Sequence, residues 1–246
     1  MKPYELEVGE RVASNGRDEG LKASAHALMT ATIPARYSYN FSWLGRPIIQ
    51  YPQDIVAMQE IIWAVQPDLI IETGIAHGGS LIFSASMLEL NAACGGPPHG
   101  TVLGVDIDIR AHNRAAIDAH PMSRRIKMIQ GSSVAPEIVG QVVAEAEGKA
   151  RVLVCLDSNH THEHVLAELT AYAPLTSVGS YCVVFDTIVE HLPADFCGDR
   201  PWGPGNNPWT ATSEYLREHP EFEIDRRIDH KLLLSVAPGG YLRRLR

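Results

Sequence analysis

The sequence has few of the features that mark disulfide-rich, zinc-binding or nucleic-acid-binding proteins. It contains only four cysteines, none of them in a Cys-x-x-Cys pair, which argues against a disulfide framework and against a zinc site. Its 21 Lys and Arg residues form no basic block, and the formal net charge is −8. A chain of this charge has no evident means of neutralising phosphate backbones, so we expect no nucleic-acid partner.

Long hydrophobic runs are also missing. A bilayer span takes roughly 20 apolar residues, and because no run approaches that length we predict no membrane insertion. The opening residues, MKPYELEVGERVASNG, lack the apolar core of a signal peptide. Hydrophobic residues make up 45% and charged residues 20% of the chain, which is ordinary for a globular enzyme. We therefore expect a soluble, cytoplasmic protein.

What is present divides the chain into two parts. Its length of 246 residues suits one fairly large domain, or a domain with an added segment. The segment IPARYSYNFSWLGRPIIQYPQD is rich in Tyr, Pro and Gly, which is typical of an ordered arm or cap rather than of a helix or strand. Helical spacing of apolar residues starts at Asp54. We predict an N-terminal arm over residues 1–53 and a domain over residues 54–246.

Within the domain, short apolar runs alternate with longer helical patterns. The runs cover residues 68–73, 101–106, 126–131, 151–157 and 181–186. Continuous apolar strands separated by helices predict a parallel sheet with helices on both faces. Two further strand-like runs, at 222–228 and 230–236, predict a hairpin. This α/β pattern resembles the Rossmann-like class I methyltransferase fold, a mostly parallel seven-stranded sheet with a C-terminal antiparallel hairpin.

A glycine-rich loop follows the first of these strands and reads ETGIAHGGS, from Glu72 to Ser80. It is neither a G-x-G-x-x-G fingerprint nor a P-loop. A helix opening at Ser80 would present free N–H groups and a positive dipole end to a carboxylate. S-adenosylmethionine offers a carboxylate, whereas NAD offers a pyrophosphate that usually takes the tighter fingerprint. A glycine turn without a ligand is the alternative.

Two further positions fit an adenosine cofactor. Asp106 ends the second strand, where its carboxylate could accept hydrogen bonds from both ribose hydroxyls. An aspartate at a strand end can equally be a simple turn or cap residue. Ser132 follows the third strand and could approach the adenine edge.

Acids and a histidine follow the fourth and fifth strands. Asp157 and Asp186 should stand at adjacent strand ends, close enough to share a hard divalent cation such as Mg²⁺. His160 lies three residues beyond Asp157 and could remove a proton from a substrate hydroxyl. The alternative is that the histidines of HTHEH form a polar helix start. Their spacing suits no common zinc pattern.

At these residues the chain resembles the cephalosporin hydroxylase/rhamnosyl O-methyltransferase family. The resemblance runs from about Tyr37 to the end of the hairpin and is carried by GRPIIQYPQD, IETGIAHGGS, GVDIDIR, LDSNHTHEHV, GSYCVVFDTI and PWGPGNNPW. It implies S-adenosylmethionine with Asp106 on its ribose, Mg²⁺ at Asp157 and at an acidic pair, and His160 as general base. The other residues it implies for the cofactor are Glu72, Gly74, Gly78, Ser80 and Asp157.

The sequence departs from the family at the acidic pair, which reads Phe185-Asp186. A phenyl ring cannot ligate a metal, so a ligand is lost or is supplied from elsewhere, by Asn159 or by water. A non-catalytic accessory subunit that keeps the cofactor fold is therefore one alternative function. A hydroxylase or methyltransferase component of antibiotic biosynthesis is another, although the chain offers no 2-His-1-carboxylate iron triad.

The function we predict is methyl transfer to a hydroxyl of a sugar, a glycosylated natural product or a polysaccharide. His160 would deprotonate the hydroxyl, and a cation at Asp157 and Asp186 would bind its oxygen. The aromatic and amide side chains expected to close over the sugar are Tyr39, Trp43, Trp202, Asn206 and Asn207. Because the arm has few core positions of its own and the family forms oligomers, we also expect a homo-oligomer.

Overall fold

The structure, a computed structural model, describes residues 3–246. The strands are β1 (Phe41–Trp43), β2 (Arg46–Ile48), β3 (Leu69–Thr73), β4 (Thr101–Asp106), β5 (Ile126–Gln130), β6 (Val152–Leu156), β7 (Tyr181–Val184), β8 (Phe222–Ile224) and β9 (Tyr241–Arg244). The α-helices are α1 (Tyr4–Asn15), α2 (Glu19–Thr32), α3 (Pro52–Val65), α4 (Gly79–Ala93), α5 (Ala111–Asp118), α6 (Pro136–Ala146), α7 (His162–Tyr172), α8 (Pro208–Glu218) and α9 (Arg226–Leu232).

The central sheet has seven strands in the order β5-β4-β3-β6-β7-β9-β8. Strands β3 to β7 are parallel, and β9 runs antiparallel to both of its neighbours. Every residue of β3 is buried, because successive side chains enter cores on opposite faces: Ile70 joins one apolar cluster, while Leu69 and Ile71 join the other. The predicted fold class is confirmed.

The C-terminal antiparallel pair is present, but the segment predicted as its second strand was wrong. Residues 230–236 form the end of α9 and the loop after it, and β8 pairs instead with Tyr241–Arg244. Asp225 starts α9 by accepting a hydrogen bond from the backbone N–H of Arg227 (3.1 Å). A short apolar run cannot by itself distinguish a strand from a helix end, so the cap decided the outcome.

The arm is more regular than the sequence indicates. It begins with α1 and α2, and the segment predicted to lack strands contains the antiparallel pair β1–β2. Leu44 and Gly45 both have positive φ, as a two-residue hairpin turn requires. Trp43 fastens this hairpin to α4, since its indole N–H donates to Ser86 Oγ (3.0 Å) and its ring meets Phe83 edge-on. The arm is therefore packed on the domain.

Asp54 links the start of the domain to its end. It lies in the first turn of α3, fully buried, and accepts hydrogen bonds from Ser235 Oγ (2.6 Å), Tyr241 Oη (2.7 Å) and the N–H of Val236 (3.0 Å). Burial raises the pKa of Asp54 to about 6, against the effect of these hydrogen bonds. The carboxyl group of Asp54 thus connects α3 to β9, the last strand of the chain.

Candidate active site

The glycine loop connects β3 to α4 at the carboxyl edge of the parallel strands. Gly74 and Gly78 have φ of +88° and +81°, and α4 begins at Gly79, one residue before the predicted start. A Cβ on Gly74 would lie 2.1 Å from the carbonyl oxygen of Asp157. Glycine is needed here because the loop packs directly on the chain leaving β6, which holds the predicted cofactor and metal residues side by side.

Glu72 and Ser80 meet beneath this loop. The Glu72 side chain is buried, and the Ser80 hydroxyl donates a hydrogen bond to it. Burial raises the pKa of Glu72 to about 7, although the Ser80 hydrogen bond lowers it. No side chain of the described residues caps the first turn of α4. A buried acid next to uncapped helix N–H groups matches the ammonium and carboxylate of an amino acid.

Asp106 has the structural role that the sequence analysis gave as the alternative to a ribose contact. Its Oδ2 accepts from the N–H groups of Ile75 (2.7 Å) and Ala76 (3.3 Å), and its Oδ1 accepts from the N–H of Asp108 (2.9 Å). The carboxylate therefore holds the backbone of the glycine loop at Ile75 and Ala76. Contact between Asp106 and a ribose stays a prediction.

Ser132 lies half-buried beyond β5, next to the strand that ends at Asp106. Its carbonyl oxygen accepts a hydrogen bond from the N–H of Ala135 (3.0 Å). The position fits the rim of the same crevice, and its contact with adenine stays a prediction.

Asp157, His160 and Asp186 come together as the sequence predicts. One ligand atom of each lies within 4.8 Å of the others, and His160 Nε2 is 3.1 Å from Asp186 Oδ2. Burial, then the neighbouring charges of Asp186 and Glu72, raise the pKa of Asp157 well above its usual range. Carboxylate oxygens and an imidazole nitrogen can hold a divalent cation, so the residues present fit the metal that the sequence implies.

The other histidines of HTHEH are engaged elsewhere. His162 begins α7 and contacts Thr210 Oγ1 (2.8 Å) and Glu214 Oε2 (3.3 Å). His164 lies two residues further along the helix, next to Ser133 Oγ (3.1 Å) and Ser158 Oγ (3.2 Å). Among these three histidines, only His160 joins the carboxylate cluster.

The alternative ligand Asn159 is already used. Its Oδ1 accepts from the N–H (2.9 Å) and the hydroxyl (3.0 Å) of Thr161, which shapes the turn before α7. Phe185 is buried in the apolar core at 7% exposure and lines a small cavity beside Asp157. Gln50, which the sequence did not single out, reaches the same place: its Nε2 lies 3.4 Å from Asp157 Oδ2.

The residues predicted to contact a sugar are not all in the same place. Trp202 meets the His160 ring edge-on at 4.9 Å, so it covers the cluster. Asn206 accepts from the N–H of His162 (2.9 Å). Asn207 is fully buried and caps α8 through the N–H groups of Trp209 and Thr210. Trp43 packs on α4 as described above, and Tyr39 is exposed. Their substrate contacts stay predictions.

Comparison with known proteins identifies the family of this chain. The family model described as Rhamnosyl O-methyltransferase/CmcI matches residues 35–245. The chain belongs to this family. The rhamnosyl O-methyltransferase of Mycobacterium tuberculosis (strain H37Rv) is 33% identical over 194 residues, 77% of this chain and 72% of the relative. That of Mycobacterium leprae is 32% identical over 207 residues, 82% of each chain. The predicted family and enzyme class, an O-methyltransferase, are thus confirmed.

A solved structure supports the fold of this family member. CmcI with Mg and SAM has a TM-score of 0.57 to this chain at 20% identity, and the match covers 85% of this chain and 78% of CmcI. The magnesium and the methyl donor are ligands of that protein. Within residues 3–246, no helix is both long and apolar enough to cross a membrane.

Proposed function

We propose that the protein is an S-adenosylmethionine-dependent, Mg²⁺-assisted O-methyltransferase that acts on a hydroxyl of a sugar or of a glycosylated molecule. The observation that carries this proposal is the cluster of Asp157, His160 and Asp186 directly against the glycine loop. A base, a pair of carboxylates and a cofactor loop are the parts that methyl transfer to a hydroxyl needs. The sugar follows from the names of the relatives, which are rhamnosyl O-methyltransferases.

The residues that would hold the cofactor surround the glycine loop. S-adenosylmethionine supplies an electrophilic methyl group. Glu72 and the first turn of α4, with Ser80, suit its amino acid end, and Gly74 and Gly78 shape the loop. Asp106 and Ser132 suit its adenosine end. Asp157, whose backbone packs against Gly74, would contact the amino group of the cofactor.

Asp157 and Asp186 would hold the cation. A divalent cation bound there lowers the pKa of a coordinated hydroxyl. His160 would accept the proton of the substrate hydroxyl, and the imidazolium so formed would have Asp186 as a partner, since its Nε2 lies 3.1 Å from Asp186 Oδ2. Trp202 packs edge-on against this imidazole and would offer an aromatic face to a sugar. We further propose a cytoplasmic enzyme, because all four cysteines are free thiols.

The test is transfer of a labelled methyl group to rhamnosyl glycosides, with and without EDTA, together with calorimetric titration of S-adenosylmethionine. Transfer that EDTA abolishes supports the whole proposal. Cofactor binding without transfer to any glycoside would favour the second candidate, a non-catalytic cofactor-binding subunit. The observation that favours this second candidate is Phe185, whose ring stands where the family resemblance implies a metal ligand.

We expect Asp106→Ala to weaken binding of S-adenosylhomocysteine by roughly 10-fold or more. The substitution removes hydrogen bonds from a charged acceptor, each contributing about 1.5–3 kcal/mol, and releases the N–H groups of Ile75 and Ala76. Asp108→Ala is the matched control, since this side chain lies two residues further on and is 71% exposed. Equal affinity in calorimetry for Asp106→Ala and wild type would mean that the ribose lies elsewhere.

We also propose a homo-oligomer assembled through the arm, residues 1–53, next to the domain of residues 54–246. Exposed apolar side chains on α1 and α2 support it, for example Leu6 at 58% and Leu28 at 51% exposure. Leu6→Glu with Leu28→Glu should lower the mass measured by light scattering, and deletion of residues 1–36 should do the same. The control is Leu90→Glu on α4, which is 56% exposed. A monomeric wild-type mass at micromolar concentration would contradict the proposal.

A further inference from the structure

Gln50 stands between β2 and α3, and its side chain points into the candidate active site. The residue is 7% exposed, and its Nε2 donates toward Asp157 Oδ2 at 3.4 Å. Its Oε1 is fully enclosed and has no hydrogen-bond partner among the described residues. A buried polar atom left unpaired costs about 1–3 kcal/mol, so an oxygen in this position calls for a ligand.

Gln50 also lines a small cavity beside Asp157. Gln50, Asp157 and Phe185 line one cavity of about 30 Å³. A volume of this size holds a water or an ion but no part of a sugar or nucleoside. Phe185 contributes a phenyl ring to its wall and therefore no donor or acceptor. Glu72 and Ser80 line the same cavity, so its polar atoms come from them and from Gln50 and Asp157.

The amide of Gln50 can present either an N–H donor or a carbonyl oxygen to Asp157. In the structure, the Gln50 N–H group donates toward Asp157. Rotation of the amide would instead turn Oε1 toward the carboxylate, and two acceptors facing each other are tolerated only when a cation lies between them. Amide and carboxylate oxygens are ligands that Mg²⁺, Ca²⁺ and Mn²⁺ accept.

We infer that Gln50 supplies a neutral oxygen ligand to the divalent cation held by Asp157 and Asp186, in place of the acid that Phe185 has removed. This inference rests on the metal site of the proposed function and names a ligand from the N-terminal arm that the strand-end pattern does not contain. It also explains why Gln50 is buried with one polar atom unpaired.

The experiment measures Mn²⁺ binding by electron paramagnetic resonance, which needs no substrate and no turnover. We expect Gln50→Leu to weaken Mn²⁺ binding about 10-fold or more, since substitutions in metal shells commonly cost 10–100-fold. Gln50→Glu should bind Mn²⁺ more tightly than wild type, because a carboxylate replaces a neutral ligand. The matched control is Gln59→Leu, the same change on the exposed face of α3. Thermal unfolding and S-adenosylhomocysteine binding check that each variant is folded.

The two Gln50 variants separate a ligand from a hydrogen-bond donor. If Gln50 served only to donate to Asp157, a glutamate there would repel that carboxylate and bring no gain in Mn²⁺ binding, so a weaker Gln50→Glu overturns the inference. Wild-type affinity in Gln50→Leu overturns it as well. If Asp157→Asn abolishes Mn²⁺ binding while Gln50→Leu does not, the metal site stands and only the role of Gln50 fails. If wild type binds no Mn²⁺, the metal part of the proposed function fails too.

Discussion

An Asp157→Ala enzyme is expected to lose methyl transfer by at least the factor that a positioned base contributes, about 10²–10⁴-fold. This side chain lies within the cluster with His160 and Asp186 and accepts from Gln50, so its removal disturbs the cation, the base and the arm together. The glycine loop should persist, because Gly74 packs on the backbone of residue 157 rather than on its side chain. The measurement is kcat with a rhamnosyl glycoside.

Removing the cation by chelation should have the same effect on activity as removing the Asp157 carboxylate. Excess EDTA should lower the activity of wild type by a similar factor and should have little further effect on Asp157→Ala. Asp108→Ala, which changes an exposed carboxylate outside the cluster, should keep full activity and full sensitivity to EDTA. Wild-type activity that survives excess EDTA would exclude a catalytic metal.

The second large effect is expected for His160→Ala, which should lower kcat about 10²–10⁴-fold, or roughly 3–5 kcal/mol of barrier. Affinity for S-adenosylhomocysteine should hardly change, because the imidazole lies on the side of the carboxylates and of Trp202. Activity of the variant should rise with pH, since hydroxide then ionises more of the substrate without help from a base.

His162→Ala is the control for this substitution. His162 is two residues away and contacts Thr210 and Glu214 instead of the cluster, so its loss should leave kcat within a few-fold of wild type. A His160→Ala enzyme that retains wild-type kcat would rule out the base.

The parallel part of the sheet could be predicted because each of its strands has a recognisable local sequence pattern. The run Leu69–Thr73 begins with three apolar residues and is followed by a glycine-rich loop, and such runs separated by helical patterns have few other solutions. Since parallel strands end at one edge, the order of the strands also placed Asp157 beside Asp186. The same reasoning gave a wrong prediction for residues 230–236 of the C-terminal hairpin, because a short apolar run can form the end of a helix as well as a strand.

In the glycine loop, the sequence identified the important positions but not all the contacts that these residues make. The family resemblance implied Gly74 for the cofactor, and the structure adds that the backbone at Gly74 packs against the backbone of Asp157. Asp106, predicted to contact the ribose or to be a turn or cap residue, accepts hydrogen bonds from the N–H groups of Ile75 and Ala76. These contacts join residues at least 30 positions apart, and no local pattern records such a pairing.

By itself, the sequence determined the fold class, the strand ends and the acids and histidine that stand on them, because periodicity and parallel pairing are local and repetitive. Only the tertiary structure decided that Gln50 lies against Asp157 and that Trp202 packs on His160. It also decided that Asn207 is the buried N-cap of α8 and not a surface residue of its loop. Which side chain fills a given space depends on how distant segments pack, and packing is set by the shape of the whole core rather than by any one segment.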